Sequence, residues 1–249
     1  VDDCLGTRNS PPLFNLAWHN EFMWDGGVHH IELSPLNALT NSCEMANDLN
    51  TIVAYLNSTQ PYPALFNKAF GTSTINSQQL FRALAQFTAM LVSANSKYDK
   101  HIRNESGGEF DTDEQAGYEL FKQKCSACHK EPLFTDLSYR SNGLDLYSKD
   151  RGRDSITRDP ADRGKFKVPS LRNIELTKPY MHDGRFKSLE RILEHYNSGV
   201  KANPNLDPEL KKDATLGIPI TKTEQAQVIK FLKTLTDNEF THDKRFTEQ

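Results

Sequence analysis

The sequence predicts a mainly α protein of two domains with long ordered loops, on three observations. Apolar residues recur at helical spacing in several segments, whereas strand patterns are sparse. The 249 residues suffice for two small domains, and residues 104–117 form a Gly-rich, acidic joint. Residues 137–180 and 200–220 are rich in Gly, Pro, Asp and Asn. Loops that long in a compact domain usually carry function or wrap a large planar cofactor that completes the core.

The first domain is expected to span residues 1–108. Its clearest helix lies within residues 77–98, with Ser77 available as the N-cap. Four apolar residues of this helix share one stripe: Leu80, Leu84, Phe87 and Leu91. A second helix is expected over Met45–Leu56.

The second domain is expected to span residues 109–249. Capping-box pairs precede its first and last helices: Thr112 with Gln115, and Thr221 with Glu224. Between them, a further helix is expected to begin at Ser188 and to end by Gly199.

Charge and hydropathy exclude some classes of partner. The 30 Lys and Arg nearly balance 33 Asp and Glu, so neither nucleic acid nor an anionic membrane is an expected partner. No apolar run approaches the roughly 20 residues that a membrane span needs. The chain starts at Val1, which favours a processed, engineered or truncated product.

The most informative motif is Cys-x-x-Cys-His at residues 125–129. Two thiols on one helical turn can add to the vinyl groups of a haem, and the next residue brings an imidazole to the iron. Cys125 and Cys128 would then be thioether anchors and His129 the proximal ligand. The alternatives are a redox dithiol, half of a zinc site, or a disulfide. The first lacks a βαβ context and the second lacks another Cys/His pair at short spacing.

Covalent haem attachment and oxidised cysteines both belong outside the reducing cytosol, so a periplasmic location is expected. Cys4 and Cys43 are the other two cysteines. They either pair as a disulfide or are two small buried hydrophobic residues.

Five motifs in a fixed order carry a resemblance to a known family. The segments 5–27 and 35–45 resemble the N-terminal domain of the bacterial di-haem cytochrome c peroxidases, which include the MauG-type enzymes, and residues 164–199 resemble their C-terminal haem domain. The motifs are R-N-x-P, F-x-W-D-G, C-x-x-C-H, V-P-x-L-R-N and P-Y-x-H-D-G.

The resemblance implies two cytochrome c-like domains and two c-type haems, one that receives electrons and one that meets peroxide. This sequence has one attachment motif, and the family's first motif lies upstream of the R-N-x-P segment. Either that upstream part has been removed or this variant never had it, and the Val1 start favours removal.

The resemblance places the sixth iron ligand on the helix after the H-D-G turn, where Tyr196 lies in this sequence. Methionine would raise the haem potential, whereas a phenolate oxygen would favour ferric or higher-valent iron and MauG-like chemistry. The alternative is that Tyr196 is an ordinary packing residue of the helix. The four candidate ligands are Tyr196, Met181, His182 and His195.

Three further assignments come from the resemblance. Glu44 matches the acid that moves a proton during cleavage of the O–O bond, although it is equally an exposed acid at a helix start. Ser34 replaces a glutamine that the family often has, which weakens the expectation of peroxidase turnover. Trp24 matches a tryptophan held between the two haems, where it relays electrons or packs in the core. The calcium site of the family corresponds to the side-chain amide of Asn9 and the carbonyls of Thr177 and Pro179.

The expected function is therefore that of a periplasmic c-type haem peroxidase that reduces hydrogen peroxide. The expected partners are a small electron donor of cytochrome c or cupredoxin type and a second copy of the chain in a homodimer. Two alternatives remain within redox chemistry, namely MauG-like oxidation of a protein side chain and a mono-haem electron carrier. A non-redox binding module is the third.

Overall fold

The computed structural model describes residues 4, 6–212 and 215–247. The chain is mainly helical, as predicted. In chain order the α-helices are α1 (Ser34–Thr40), α2 (Leu49–Ser58), α3 (Tyr62–Phe70), α4 (Ser77–Met90), α5 (Lys97–Ile102), α6 (Thr112–Lys124), α7 (Asp154–Thr157), α8 (Leu189–Glu194), α9 (Lys222–Lys233) and α10 (Asn238–Thr241). None of the described helices combines the length and the apolar character that a bilayer span requires.

Short antiparallel pairs supply the strands. They are β1 (Tyr139–Arg140) with β2 (Phe166–Lys167), and β3 (Lys211–Lys212) with β4 (Thr215–Leu216). In the first pair Tyr139 lies opposite Lys167, and Arg140 opposite Phe166. This pair brings the loop after α6 and the loop before α8 together, which matters for the site below.

The described residues form two compact units. The first unit consists of residues 13–23, 28–91 and the described part of 1–7. The second unit consists of residues 8–12, 24–27 and the described part of 92–249. The division at 91/92 lies before the expected 108/109, because α5 packs in the second unit. Its Tyr98 is buried against Phe134, and its Asp99 forms a buried ion pair with Arg172.

In the first unit, α4 exists as predicted but its cap and buried face differ. Asn76, and not Ser77, is the N-cap, because its side chain accepts a hydrogen bond from the backbone N–H of Gln79 at 3.0 Å. Phe87 is 46% exposed, so its place on the predicted buried stripe is wrong. The buried residues of α4 are Leu80, Phe81, Ala85 and Thr88.

Helix α2 begins later than predicted. Ala46 has a φ of 47°, which interrupts any helix that starts at Met45. Asp48 then caps the observed helix by accepting from the backbone N–H of Thr51 at 3.0 Å. Glu44 therefore lies in the turn before α2 and does not open that helix.

In the second unit, the predicted N-termini of two helices are confirmed and that of a third lies one residue earlier than predicted. Ser188 caps α8, and Thr221 forms the predicted capping box at α9. The box at α6 is Asp111 with Glu114, one residue earlier than the predicted pair, because the Asp111 carboxylate accepts from the Glu114 backbone N–H at 2.8 Å. Gly117 of α6 lies so close to α9 that a Cβ there would clash with the backbone of Gln227.

The main core of the second unit lies between α6, α9 and the loop after α6. Phe121, Phe134 and Phe231 are fully buried, and their rings lie 5.1–6.2 Å apart in tilted arrangements. Such aromatic packing buries large areas and fixes the ends of both helices. The motif at 125–129 follows directly from this rigid end of α6.

Candidate haem site

The Cys-x-x-Cys-His motif forms one tight turn at the end of α6. Cys125 is the C-cap, and its backbone N–H donates to the carbonyl of Phe121 at 2.8 Å. Its own carbonyl accepts from the N–H groups of Cys128 at 3.2 Å and His129 at 3.0 Å. Both thiols are free, and all three side chains line one cavity. The structure thus places the three residues that the sequence predicts to act together on one cavity.

The cavity is mostly apolar and large. Including the part open to solvent, its volume is about 1570 Å³. Helices α6, α8 and α9 and the loop over 166–182 contribute its walls. Apolar side chains that line it include Phe121, Val168, Ile174, Leu189, Val228 and Leu232. A flat apolar cofactor would fill this space, as the long loops of the sequence predict.

His129 is oriented by the backbone. Its Nδ1 lies 3.0 Å from the carbonyl oxygen of Phe134, which accepts the Nδ1 proton in the tautomer that leaves the lone pair on Nε2. Burial lowers the pKa of His129, which favours the neutral ring. A neutral imidazole with one nitrogen held by a carbonyl is the usual form of a metal-bound histidine.

The pKa values of the two thiols distinguish a haem attachment site from a redox dithiol. Burial raises the pKa of Cys125 to about 12 and that of Cys128 to about 11, so both remain protonated near neutral pH. Redox dithiols instead have lowered thiol pKa values. Among the described residues, no group of three His, Cys, Asp or Glu side chains has metal-ligand geometry. Two thiols and an orientable imidazole on one apolar cavity thus fit a covalently attached haem.

Three of the four candidate sixth ligands line this cavity: Tyr196, Met181 and His182. His195 does not, because its Nε2 donates to the backbone carbonyl of Asn142 at 3.0 Å and its ring is buried. The structure therefore places His195 outside the lining of this cavity. A π-helical segment, His195–Gly199, extends α8, and such segments occur frequently at functional sites. Burial raises the pKa of Tyr196 to about 12.

The other two candidates lie in the turn that the P-Y-x-H-D-G motif predicts. Met181 has a φ of 72°, in the left-handed region that a non-glycine residue rarely adopts. The backbone N–H of Gly184 donates to the carbonyl of Met181 at 3.2 Å and stabilises this turn. The ring of His182 stacks on Phe166, with the centroids 3.7 Å apart. Surrounding structure that enforces a strained backbone is typical of functional positions.

Ion pairs hold segments 8–12 and 24–27 in place within the second unit. Arg8 forms a bidentate pair with Asp150, at 2.6 and 2.8 Å, and its third nitrogen contacts Asp25 at 2.6 Å. This geometry gives strong charge-assisted hydrogen bonds. It holds Asn9 and Trp24 at the cavity wall. No signal in the sequence predicts this role of Arg8, although it is the first residue of the R-N-x-P motif.

Asn9, Trp24 and the predicted calcium ligands lie together. The indole Nε1 of Trp24 donates to the carbonyl of Asn9 at 2.7 Å. The side-chain Nδ2 of Asn9 donates to the carbonyl of Pro179 at 2.7 Å. Thr177 and Pro179 line the same cavity. The structure thus brings Trp24, Asn9 and Pro179 into contact, but with the amide nitrogen of Asn9, and not its oxygen, towards Pro179.

Glu44 belongs to the first unit. Its side chain is exposed, and its Oε1 accepts from the Nδ2 of Asn41 at 2.9 Å. The apolar surroundings expected for its carboxylate are not formed by the described residues. Next to it, Cys43 is paired with Cys4 in a disulfide, which resolves the choice that the sequence left open.

Two residues that line the cavity could not be predicted as site residues from the sequence. Arg140 reaches the cavity from β1 and binds Asp136 at 2.6 Å and Asp207 at 2.9 Å. Asn142 follows β1, and its side-chain amide donates to the sulfur of Met181 at 3.3 Å. Arg140 lies in a two-residue strand and Asn142 in the loop after it, and neither belongs to a periodic pattern or a motif. Long-range contacts, among them the pairing of β1 with β2, bring both residues to the site.

Comparisons with known proteins identify the family. A family model described as di-haem cytochrome c peroxidase matches residues 1–107. The methylamine utilization protein MauG of Methylophilus methylotrophus is 33% identical over 94% of this chain and 70% of its own length. The cytochrome c551 peroxidase of Nitrosomonas europaea is 32% identical over 94% of this chain and 67% of its own length. The MauG of Methylorubrum extorquens is 34% identical over 92% of this chain, which spans 64% of that relative.

Solved structures agree on the fold. A MauG-like protein associated with microbial copper homeostasis superposes with a TM-score of 0.87 at 29% identity, over 97% of this chain and 79% of that one. The diheme peroxidase BthA from Burkholderia thailandensis superposes with a TM-score of 0.78 at 18% identity, over 96% of this chain and 74% of that one, and supports the fold alone. On the sequence identities and the shared motifs together, the chain belongs to the di-haem cytochrome c peroxidase family, which includes MauG.

Proposed function

We propose that this chain carries the electron-transferring haem c of a periplasmic peroxidase, which reduces hydrogen peroxide with electrons from a small cytochrome c or cupredoxin. The observation that carries the proposal is the meeting of Cys125, Cys128 and His129 on one apolar cavity at the end of α6. A bound haem c supplies the one-electron redox chemistry that side chains lack.

The residues around the cavity have separate roles in this proposal. Both thiols would form thioether bonds to the haem, and His129 would bind the iron through Nε2 while the carbonyl of Phe134 accepts its Nδ1 proton. Tyr196 is the preferred sixth ligand and Met181 its substitute. The indole of Trp24, fixed by its hydrogen bond to Asn9, relays electrons at the cavity wall. Glu44 of the first unit moves the proton during peroxide cleavage.

A MauG-like activity, the peroxide-driven oxidation of a protein side chain, is the second candidate. It is supported by Tyr196 at the cavity, because a phenolate ligand favours higher oxidation states of iron. An electron carrier without peroxide turnover is the third, since one attachment motif is present in this chain.

The test uses the holoprotein from a host that attaches haem c. We expect one haem at residues 125–129, measured by the optical spectrum after denaturation in pyridine. In protein that also holds the peroxide-binding haem of the family, we expect oxidation of a reduced donor on adding peroxide. Glu44→Gln should lower peroxide turnover by about 10²–10⁴-fold and leave the haem spectrum unchanged. Glu32→Gln, which alters another exposed acid of the first unit, should have no effect on turnover.

The outcomes separate the candidates. Haem without any reaction with peroxide favours the electron carrier. Peroxide consumption coupled to oxidation of a protein substrate, without donor turnover, favours the MauG-like activity. Colourless protein in which Cys125 and Cys128 both react with an alkylating reagent contradicts the haem assignment itself.

A calcium ion is proposed as a structural part of this site. Asn9 and the carbonyl of Pro179 lie within hydrogen-bond distance, and Thr177 lies on the same wall. Rotation of the Asn9 amide would turn its oxygen, a ligand that Ca²⁺ accepts, towards these carbonyls.

We expect Ca²⁺ to raise the thermal unfolding temperature of the wild type but not that of Asn9→Leu. Equal stabilisation of both proteins, measured calorimetrically with and without chelator, would exclude this site.

A further inference from the structure

The carbonyl that orients His129 belongs to a residue with an unusual backbone conformation. Phe134 has a φ of 56°, in the left-handed region that a non-glycine residue rarely adopts. Its carbonyl oxygen lies 3.0 Å from the Nδ1 of His129. Since the backbone alone does not favour this conformation, the surrounding structure must hold it. The contacts that hold Phe134 therefore also determine the hydrogen bond of the imidazole.

The ring of Phe134 is fixed in the core of the second unit. It is fully buried, and the ring of Tyr98 meets it edge-on with the centroids 4.8 Å apart. The guanidinium carbon of Arg172 lies 5.8 Å from the ring centroid, and the Nε of Arg172 donates to the carbonyl of Pro132 at 2.8 Å. These contacts hold the side chain of Phe134 and the loop two residues before it. They do not hold the peptide group that joins Leu133 to Phe134.

Ser170 holds that peptide group. Its hydroxyl donates to the carbonyl of Leu133 at 2.6 Å and accepts from the backbone N–H of Arg172 at 3.2 Å. The two bonds orient the hydroxyl, and the first opposes rotation of the peptide. A rotation of this peptide changes the φ of Phe134, and the observed left-handed value is the one at which the Phe134 carbonyl lies beside His129. The Ser170 hydroxyl thus supports the orientation of the imidazole through one peptide group.

The hydrogen bond at Nδ1 of a histidine affects the metal that its Nε2 binds. A carbonyl that accepts the Nδ1 proton raises the basicity of the imidazole as a ligand. A more basic ligand stabilises ferric over ferrous iron, and hydrogen bonds around the ligands are one of the means by which a protein sets a haem potential. Weakening the bond between His129 and Phe134 should therefore raise the midpoint potential of a haem at this site.

We propose that Ser170 is a positioning residue that keeps the midpoint potential of the haem low, because it fixes the carbonyl of Phe134 beside His129. This inference rests on the proposed function, because it requires a haem whose iron is bound by Nε2 of His129. Ser170 occupies the x position of the V-P-x-L-R-N motif, so the effect depends on the side chain that this sequence has there.

The experiment compares Ser170→Thr with Ser170→Val in the holoprotein, since these side chains have nearly the same shape and only threonine has a hydroxyl. Redox titration measures the midpoint potential, and NMR of the reduced protein measures how fast the Nδ1 proton of His129 exchanges with deuterated water. We expect Ser170→Val to shift the potential upwards and to accelerate the exchange. Ser170→Thr should match the wild type in both measurements.

The matched control is Ser141→Ala. It removes another hydroxyl from the lining of the same cavity, one that bonds the side chain of Asn203 and not the loop of Phe134. This variant should leave both the potential and the exchange rate unchanged.

Each result decides the inference. Equal potentials and exchange rates of Ser170→Val and Ser170→Thr overturn it while the haem assignment stands. A shift in Ser141→Ala as large as that in Ser170→Val also overturns it, because the polarity of the cavity would then be the cause. Wild-type protein without haem overturns both this inference and the proposed function. If Ser170→Val yields no folded holoprotein, Ser170→Ala takes its place in the same measurements.

Discussion

Replacing both haem anchors, Cys125→Ala with Cys128→Ala, should abolish haem attachment and leave the second unit poorly folded. The reason is the cavity at the end of α6, whose apolar walls would then face water. Anything that binds only the folded state stabilises it, so losing a covalent cofactor removes that whole contribution. We expect a broad, weakly cooperative thermal transition in circular dichroism, in place of a sharp one.

The matched control is Cys4→Ala with Cys43→Ala. This pair removes two cysteines from the first unit, where they form the disulfide, and should leave the haem content at one per chain. Native-like helicity and sharp unfolding of the colourless anchor variant would contradict the prediction. The core between α6 and α9 would then be sufficient without the cofactor.

The second large effect is expected at the buried ion pair between Asp99 and Arg172. The two side chains form a bidentate contact at 2.8 and 2.9 Å, and the residues are 7% and 3% exposed. Asp99→Asn leaves the guanidinium buried without its countercharge, which should lower the free energy of unfolding by about 3–5 kcal/mol. Denaturant titration of the holoprotein measures this change. Asp243→Asn breaks an exposed pair with Arg245 and should lower the free energy of unfolding far less, because solvent screens that pair.

The same pair predicts how stability depends on pH. Burial opposes ionisation of Asp99, but the hydrogen bonds and charge of Arg172 outweigh it and lower the pKa of Asp99 below its usual value of about 3.9. A lowered carboxyl pKa contributes stability above the unfolded pKa, and this contribution is lost as the pH falls through the folded pKa. Wild type should therefore lose stability more steeply than Asp99→Asn below about pH 4. Parallel acid curves, or a cost of Asp99→Asn near that of Asp243→Asn, would show that the pair contributes little.

Much of the helical structure could be predicted because its signals are local. Ser188 and Thr221 cap the helices that the sequence predicts, since a cap needs only a side-chain oxygen and an N–H three residues later. The predicted N-caps of α4 and α6 are each wrong by one residue. Asn76 and Asp111 offer an equally good side-chain oxygen one position earlier, and a local signal does not distinguish the two positions. The exposure of Phe87 had no local signal, because it depends on which neighbours cover the helix.

In the candidate site, too, the features with a local signal could be predicted, whereas the contacts between distant residues could not. The covalent anchors and the proximal histidine follow from five consecutive residues, and the turn that holds Met181 follows from a short motif. The hydrogen bonds from His195 to Asn142 and from Asn142 to Met181 join residues that are 53 and 39 positions apart in the chain. These contacts lie in loops, where no periodicity constrains the partner of a given side chain.

The sequence by itself therefore determined the haem-binding turn, the mainly helical composition and the family. Each of these features depends on residues that lie within a few positions of one another in the chain, or on motifs that occur in a fixed order. Only the tertiary structure decided the buried wall of the cavity, the pairing of Cys4 with Cys43 and the contact between the Asn142 amide and the Met181 sulfur. The physical reason is that these features depend on long-range packing, in which distant segments meet because the core and the β1–β2 pair hold them there.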